Sequence, residues 1–223
     1  MIKKLLLSLL VVTGFATVVF ADFSRVEIGI GSWNQEPSRK LLGATTTYTK
    51  ENDVYVWAYL KHPTPVVPNI RIEHASVLAT LTPTSSYEFS QIDVIPYYNI
   101  LDNTAWITID LGLDFKSISA TSTNTNIETT DDIILPMAYL RTRFELPLSG
   151  LGAEADIKYV EYSDNKLYDA RVKLDYTFDI TPIIKPGIEV GYRIQKIKTD
   201  ELFYSTKLDY EFSGIYAGLI LRF

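Results

Sequence analysis

The sequence predicts an all-β fold, an antiparallel transmembrane β-barrel of about ten strands, and three observations lead to this prediction. Several segments of about ten residues alternate between apolar and polar side chains, which is the period of a strand with two different faces. The last of these segments, 215–223, ends on Phe223. An apolar stretch near the N-terminus has the form of a secretory signal. Two-faced strands in a secreted chain fit a barrel whose outside meets lipid and whose inside is polar.

The N-terminal segment predicts export. Lys3 and Lys4 precede the apolar residues 5–20, and Ala21 offers a small residue for signal peptidase. We therefore expect residues 1–21 to be a signal peptide cleaved after Ala21, and residues 22–223 to form one barrel domain in the cell outer membrane. The alternative is an uncleaved anchor helix, although the stretch is short against the roughly 20 residues of a helical span.

Composition excludes several classes of protein. The chain has no Cys and only 2 His, so neither a disulfide framework nor a Cys- or His-rich metal site is expected. We expect no cofactor. A formal net charge of −6 leaves no basic surplus to neutralise phosphates, which argues against nucleic acid as a partner.

The clearest strand prediction covers residues 105–115. Ile107, Leu111 and Phe115 share one face, whereas Asp110 and Asp114 lie on the other. The same alternation recurs in further segments, and together they give about ten strands. These segments are 25–31, 54–61, 70–77, 90–98, 136–146, 153–159, 168–178, 188–195 and 215–223. Eight strands is the alternative, should 54–61 and 70–77 be misassigned.

The connections between these segments fall into two sets. Compact connections alternate with long polar ones, which predicts short periplasmic turns at one rim and longer extracellular loops at the other. The compact set is 62–68, 99–103, 147–150 and 179–185, and the long set is 34–52, 80–87, 117–132 and 198–209, with 163–167 as a short exception. Segment 117–132 is rich in Ser, Thr and Asn, so we expect a mobile loop there.

The charged faces of the predicted strands should line the lumen. Nearly balanced charge inside a narrow barrel favours salt bridges across the lumen, and a barrel of this size has room for side chains or a small ligand. The expected lining residues, with a structural or pore role, are Arg25, Glu27, Asp110, Asp114, Arg141, Arg143, Glu154, Asp156, Arg171, Asp175, Glu189 and Arg193. Aromatic residues near strand ends are expected to anchor the barrel at the membrane interfaces, namely Trp33, Trp57, Trp106, Tyr97 and Tyr98.

The end of the chain resembles the assembly signal of bacterial outer-membrane barrels. That signal has a polar residue, a Gly, a hydrophobe and a terminal aromatic residue, and Tyr216, Gly218, Leu221 and Phe223 fill these places. More broadly, the chain resembles a family of small, poorly characterised outer-membrane β-barrel proteins of Gram-negative bacteria. The segments that carry this resemblance are 22–29, 33–37, 62–63 and 68–71. The resemblance implies the barrel fold and the outer membrane, with outer-membrane lipid, lipopolysaccharide and the barrel-assembly machinery as partners, the last through the C-terminal strand.

Candidate catalytic groups are few. His62 precedes a proline in a predicted turn, and His74 lies mid-strand without a Ser or Asp at a recognisable spacing. The acidic pair Asp131 and Asp132 is expected to be a solvated loop end, although rim carboxylates can bind divalent cations weakly. We therefore predict that the protein is not an enzyme and assign no catalytic or metal-binding residue.

The sequence favours an integral outer-membrane barrel with a structural or narrow-pore, porin-like role. Two alternatives stay open. One is a barrel enzyme or surface-binding protein that acts through its extracellular loops, and the other is a soluble secreted β-sandwich, which also alternates but usually with shorter strands.

Overall fold

The fold is known from a computed structural model, which describes residues 25–41, 44–64, 66–82, 85–124, 127–199 and 208–223. The predicted signal peptide lies outside these residues. Within the described ranges no helix is long and apolar enough to cross a membrane. The strands are β1 Arg25–Leu41, β2 Ala44–Thr47, β3 Glu51–Lys61, β4 Asn69–Thr82, β5 Ser85–Thr104, β6 Ile107–Asn124, β7 Ile127–Glu145, β8 Leu151–Tyr162, β9 Asn165–Thr177, β10 Lys185–Thr199 and β11 Leu208–Arg222.

The strands form a closed antiparallel barrel. β1 pairs with β3, each strand from β3 to β11 pairs with the next along the chain, and β1 closes the barrel against β11 from Glu27 opposite Arg222 to Arg39 opposite Tyr210. Ten strands make up the barrel wall, while β2 pairs only with the far end of β1. The ten-strand barrel is thus confirmed, and both the eight-strand barrel and the soluble sandwich are wrong for the fold as a whole.

The two ends of the barrel differ. We call the end that carries Arg25 and Arg222 the proximal rim, and the opposite end the distal rim. Near the proximal rim the outward side chains are apolar, as along β6, where Leu111, Leu113 and Phe115 are exposed. The outward apolar run of β6 begins at Ile107, so it matches the roughly 9–11 residues of a membrane-crossing strand. A closed ladder with this apolar outer face satisfies the backbone in lipid, where no water is available.

In the distal part of the barrel, the apolar and the polar side chains of the strands exchange faces. Beyond Phe115, β6 turns Ser117 and Ser119 outward and buries Ile118 and Ala120 inside. The same change occurs on β5, β9, β10 and β11. The distal part is therefore built like a soluble domain, with polar side chains outside and apolar side chains inside, and its outer surface belongs in water.

This reversal corrects the prediction of long loops. Segments 34–52, 80–87 and 117–132 are largely strand, and β6 and β7 pair without interruption up to Asn124 opposite Ile127. The strands continue because the small polar residues outside alternate with apolar residues inside, and Thr suits a strand. Serine and threonine content alone had indicated a loop, whereas alternation with Ile118 and Ala120 indicates a strand.

The wall splits at two places in the distal part. The ladder between β7 and β8 runs from Glu145 to Ala138 and ends there, and the ladder between β3 and β4 ends at Val56 opposite His74. Ala138 is the last β7 residue that pairs with β8. Backbone groups of alternate residues point to the same side, so the next β7 residue that would donate to β8 is Pro136, which has no N–H. Proline therefore ends the β7–β8 ladder. Because β8 itself ends at Tyr162, which this register sets opposite Leu135, the rest of β7 extends beyond the β8–β9 hairpin, and the distal part consists of two sheets that face each other.

Side chains bridge the split between β3 and β4: the Thr80 hydroxyl donates to Glu51 at 3.0 Å, and Gln35 of β1 reaches the edge of β4. The Gln35 amide nitrogen donates to the Ser76 carbonyl at 3.1 Å, and its amide oxygen accepts from the Leu78 N–H at 3.3 Å. Gln35 thereby offers the edge of β4 one donor and one acceptor, as a neighbouring strand would.

Candidate functional site

The lumen is the candidate functional site, and charged side chains fill its proximal part. The structure places every predicted lining residue inside the barrel, where all but Arg25 are buried. We call the whole inward set the lumen charge network. Its cations are Arg25, Arg71, Lys116, Arg141, Arg143, Lys158, Arg171, Lys173, Arg193 and Arg222, and its anions are Glu27, Glu73, Asp93, Asp110, Asp114, Glu145, Glu154, Asp156, Asp169, Asp175 and Glu189.

Glu154 is a centre of this network. Its carboxylate oxygens lie 2.7 Å from Arg141, 3.3 Å from Arg71, 3.3 Å from Arg143 and 3.4 Å from Lys173. These cations come from β4, β7 and β9, so one carboxylate from β8 links strands that are not all neighbours. Opposite charges in a poorly hydrated interior attract strongly, and the loss of one partner leaves a buried charge uncompensated.

Two further carboxylates repeat this arrangement closer to the distal rim. Glu73 lies 2.5 Å from Arg71, 2.5 Å from Lys158 and 2.6 Å from Arg171. Asp169 lies 2.5 Å from Arg193 and 3.7 Å from Lys158. Lys158 also contacts Asp93 on β5. The network is continuous across the lumen because each group has partners on different strands.

At the proximal rim, ion pairs of the network join the strands on either side of the barrel closure. Arg222 of β11 lies 3.1 Å from Glu27 of β1 and 2.8 Å from Asp175 of β9. Asp175 also accepts from Arg143 of β7 at 2.6 Å, and Arg143 lies 2.8 Å from Glu145. The final strand is thus held by ion pairs as well as by its backbone ladders.

Lys116 belongs to the network but was not identified from the sequence. It is fully buried, and its ammonium group lies 2.7 Å from Asp93 and 3.6 Å from Asp169. The sequence prediction ended the strand at Phe115 and assigned the following residues to a loop. Continuing the two-residue alternation from Asp114 through Lys116 to Ile118 would have placed Lys116 inside.

Asp114 is the exception within the network. Both of its carboxyl oxygens are buried, and neither has a hydrogen-bond partner among the described residues. Asp110, two inward positions earlier on the same strand, contacts Arg141 and accepts from Asn99, both at 2.5 Å. Anions outnumber cations by one in the network, and Asp114 is the carboxyl group without a polar contact.

Aromatic side chains fill the space between the charges. Trp33, Trp57 and Tyr97 are buried in the lumen, so their assignment as interface anchors is wrong, whereas Tyr98 and Trp106 are exposed on the outside. The buried aromatic rings face cations of the network. The closest approaches to ring centroids are Arg193 to Trp33 at 4.6 Å, Lys173 to Trp57 at 4.7 Å and Arg141 to Tyr59 at 5.1 Å. Cations stacked on aromatic faces exclude water from a charged interior.

Inward glycine makes room for one of these rings. A Cβ atom built on Gly29 would lie 2.2 Å from Nε1 of Trp57, closer than any real contact. Nε1 of Trp57 donates to Glu189 at 3.1 Å, and the Tyr55 hydroxyl donates to the same carboxylate at 2.7 Å. The glycine therefore lets the ring lie flat against the barrel wall and still reach its acceptor.

The distal part of the lumen is closed by an apolar cluster, which we call the distal core. Rings of the two facing sheets touch across it, with Phe89 of β5 centred 6.1 Å from both Tyr210 and Phe212 of β11. The distal core consists of Val77, Ala79, Phe89, Ile118, Ala120, Leu167, Ile197, Leu208, Tyr210 and Phe212, and none of them is more than 2% exposed. These side chains meet across the barrel axis and are closed off from solvent.

The proximal rim, by contrast, is open. A vestibule of 820 Å³ lies among the turns at that rim and reaches Arg143 and Arg222 of the network. The residues of the predicted assembly signal lie beside it or just above it: Tyr216 and Gly218 face inward, Leu221 faces outward, and Phe223 donates from its backbone to Val26 at 2.9 Å. The vestibule ends where the charge network begins.

The two histidines are placed in structural roles. His62 lies in the turn between β3 and β4, where its ring nitrogens hydrogen-bond with the Pro68 carbonyl and the Thr64 N–H, each at 3.1 Å. The ring of His74 contacts the Gln91 carbonyl at 2.9 Å. In the described ranges, no group of three or more His, Cys, Asp or Glu side chains could hold a metal ion.

The fold and the lumen together define a class of protein. A closed antiparallel barrel with an apolar outer belt and a polar, charged interior is a β-barrel of the kind found in outer membranes. This agrees with the family resemblance read from the sequence.

Known proteins resemble the chain only distantly. No protein family and no curated protein sequence matches the chain. Among solved structures, Neisserial surface protein A is 11% identical with a TM-score of 0.48, covering 89% of this chain and 97% of that one. The outer membrane protease OmpT from Escherichia coli is 9% identical with a TM-score of 0.46, covering 90% and 96%. Ail of Yersinia pestis is 11% identical with a TM-score of 0.37, covering 90% and 99%. At these identities and scores, the likeness says nothing about what this chain binds or does.

Proposed function

We propose that this protein is an integral outer-membrane β-barrel that does not conduct ions and that holds a folded two-sheet extension outside the membrane. The observation that carries the proposal is the filled lumen: ion-paired and aromatic side chains occupy its proximal part, and the distal core closes the rest. A rigid, filled barrel suits an anchor. The narrow-pore role expected from the sequence is the competing hypothesis.

The experiment is conductance in planar lipid bilayers with the purified, refolded protein. We expect no discrete conductance steps, while heat-dependent gel mobility shows that the sample is a folded barrel. Reproducible steps of one size would contradict the proposal, provided that they belong to this lumen. The variant Arg141→Gln decides that point, because neutralising a charge of the network must change the ion selectivity of any current that passes it.

The location in the outer membrane is supported by the apolar outer belt, since exposed Leu111, Leu113 and their neighbours need lipid around them. Partners in this location are outer-membrane lipid and lipopolysaccharide, and the barrel-assembly machinery for the last strand. Carbonate extraction of membranes tests the location. We expect the protein in the pellet, and release into the soluble fraction would contradict an integral barrel.

We also propose that the protein is not an enzyme. Both histidines are engaged with backbone groups, and among the described residues neither forms a hydrogen bond with a serine or a carboxylate. A double variant, His62→Ala with His74→Ala, should leave any hydrolytic activity measured on lipid or peptide substrates unchanged. Loss of such an activity in the double variant, with folding intact, would support the enzyme alternative.

A further inference from the structure

The distal part of β7 has a neighbouring strand on one side only. Its ladder with β6 continues to Ile127 opposite Asn124, whereas its ladder with β8 stops at Ala138 opposite Tyr159. Open ladders of this length are uncommon on folded proteins, because an unpaired row of N–H and C=O groups is a template for another strand.

The free backbone groups can be assigned by alternation. The Glu145 N–H donates to Trp106 on the β6 side, and the Leu146 N–H donates to Leu151 on the β8 side, each at 2.9 Å. Backbone groups of successive strand residues point to opposite sides, and the β6–β7 register has no bulge. The groups of even-numbered residues therefore point away from β6. Above Pro136, these belong to Ile134, Asp132 and Thr130.

We call these three residues the β7 edge. In the part of the chain that the structure describes, their backbone groups have no partner on the side away from β6. The polar outer surface at this level puts the edge in water. A donor and an acceptor on each of three residues can accept one more strand.

The side chains around the β7 edge determine what kind of strand fits. Ile134 is 69% exposed, and the inward neighbours Ile133 and Leu135 are only partly buried against the distal core. Across the split, the tip of the β8–β9 hairpin exposes Glu161. Apolar side chains on one face of an added strand would therefore cover the two inward residues, and long side chains on its outward face would cover Ile134 with their alkyl stems.

The charge at the split is acidic. Asp132 on β7 and Glu161 and Asp164 on the facing hairpin are exposed, and the cation Lys166 is already 3.4 Å from Glu161. Opposite charges on neighbouring strands stabilise a pair, and like charges oppose it. A second copy of this chain would bring Asp132 close to its own counterpart, so the acidic split favours a basic partner.

We propose that the β7 edge binds an extended, cationic peptide segment of a partner protein by strand addition. The backbone ladder supplies affinity, Asp132 selects basic side chains on the outward face, and the inward pair Ile133 and Leu135 selects apolar side chains on the other face. The inference goes beyond the anchoring role but needs the edge to be outside the membrane. Carbonate extraction tests the anchoring role independently of binding.

The test uses the full chain in detergent and a fluorescent octapeptide that alternates valine and lysine. Two comparison peptides replace lysine by glutamate or carry a methyl group on every backbone amide. Fluorescence anisotropy should show binding of the valine–lysine peptide about tenfold tighter than that of either comparison peptide. Absence of binding, or equal binding of the methylated peptide, would overturn strand addition.

Two variants separate backbone pairing from attraction by charge. Ile134→Pro removes one N–H of the β7 edge and should weaken binding about tenfold, whereas Ile134→Thr keeps the N–H and should bind nearly as the parent does. Heat-dependent mobility confirms that both variants fold. Equal binding by the proline variant would refute the proposal. So would an oxidised Ile134→Cys variant that forms a dimer readily, because the edge would then serve a second copy of the chain.

Discussion

Two aspartates on β6 allow a direct test of the lumen charge network. Asp110 and Asp114 lie on the same face of the same strand, and both are fully buried. Asp110 contacts Arg141 and Asn99 at 2.5 Å each, but Asp114 has no hydrogen-bond partner among the described residues. The substitutions Asp110→Asn and Asp114→Asn remove the same charge from the same kind of site, so the difference between them measures the pairing.

The two substitutions should change the free energy of unfolding by different amounts. Asp110→Asn leaves Arg141 with only Glu154 as a charged partner and should lower the free energy of unfolding by about 3–5 kcal/mol, the cost of breaking a buried ion pair. Asp114→Asn breaks no such contact. It leaves a polar group of the same size without a hydrogen-bond partner, so it should change the free energy of unfolding by no more than about 1 kcal/mol.

The assay is urea unfolding of the protein in lipid vesicles, followed by tryptophan fluorescence, since Trp33 and Trp57 are buried in the lumen. Heat-dependent gel mobility provides a second readout of the folded barrel. The reasoning would be refuted if Asp114→Asn lost as much stability as Asp110→Asn, or if Asp110→Asn were neutral. The first result would mean that Asp114 has a partner in the folded protein, and the second that the contact to Arg141 contributes little.

Four further changes have expected outcomes. Deletion of Phe223 should impair insertion into the membrane in cells, whereas Phe89→Ala should lower stability by about 3–5 kcal/mol through the cavity in the distal core yet leave insertion intact; equal insertion of both would argue against a terminal assembly signal. Pro136→Thr restores a backbone N–H and should extend the β7–β8 ladder, seen as increased hydrogen-exchange protection at the split; unchanged protection would mean that proline does not cause it. Gly29→Ala should destabilise the barrel by about 1–3 kcal/mol, because its Cβ would overlap the Trp57 ring, and a melting temperature equal to the parent's would contradict that geometry.

Strand alternation was sufficient to predict which side chains enter the lumen in the proximal part. Inward positions such as Arg141, Glu154 and Arg171 follow from the two-residue period alone, because lipid requires one apolar face on every strand. The alternation was harder to recognise in 117–132, where the apolar face changes sides. Lys116 lies at this change. Aromatic type indicates an interface for Trp33, but the alternation of inward residues from Arg25 and Glu27 continues to Trp33 and places it inside the barrel.

The sequence by itself determined the fold class, the approximate strand count and the charged face of each strand, because these depend only on the local period of apolar residues. Only the tertiary structure decided whether the lumen is open. Contacts such as Glu154 with Arg71, or Phe89 with Phe212, join residues far apart in the chain, and they exist because closure of β1 on β11 brings opposite walls together. The splits in the distal wall also depend on closure. Pro136 can end the β7–β8 ladder only because the two strands are already paired in a fixed register.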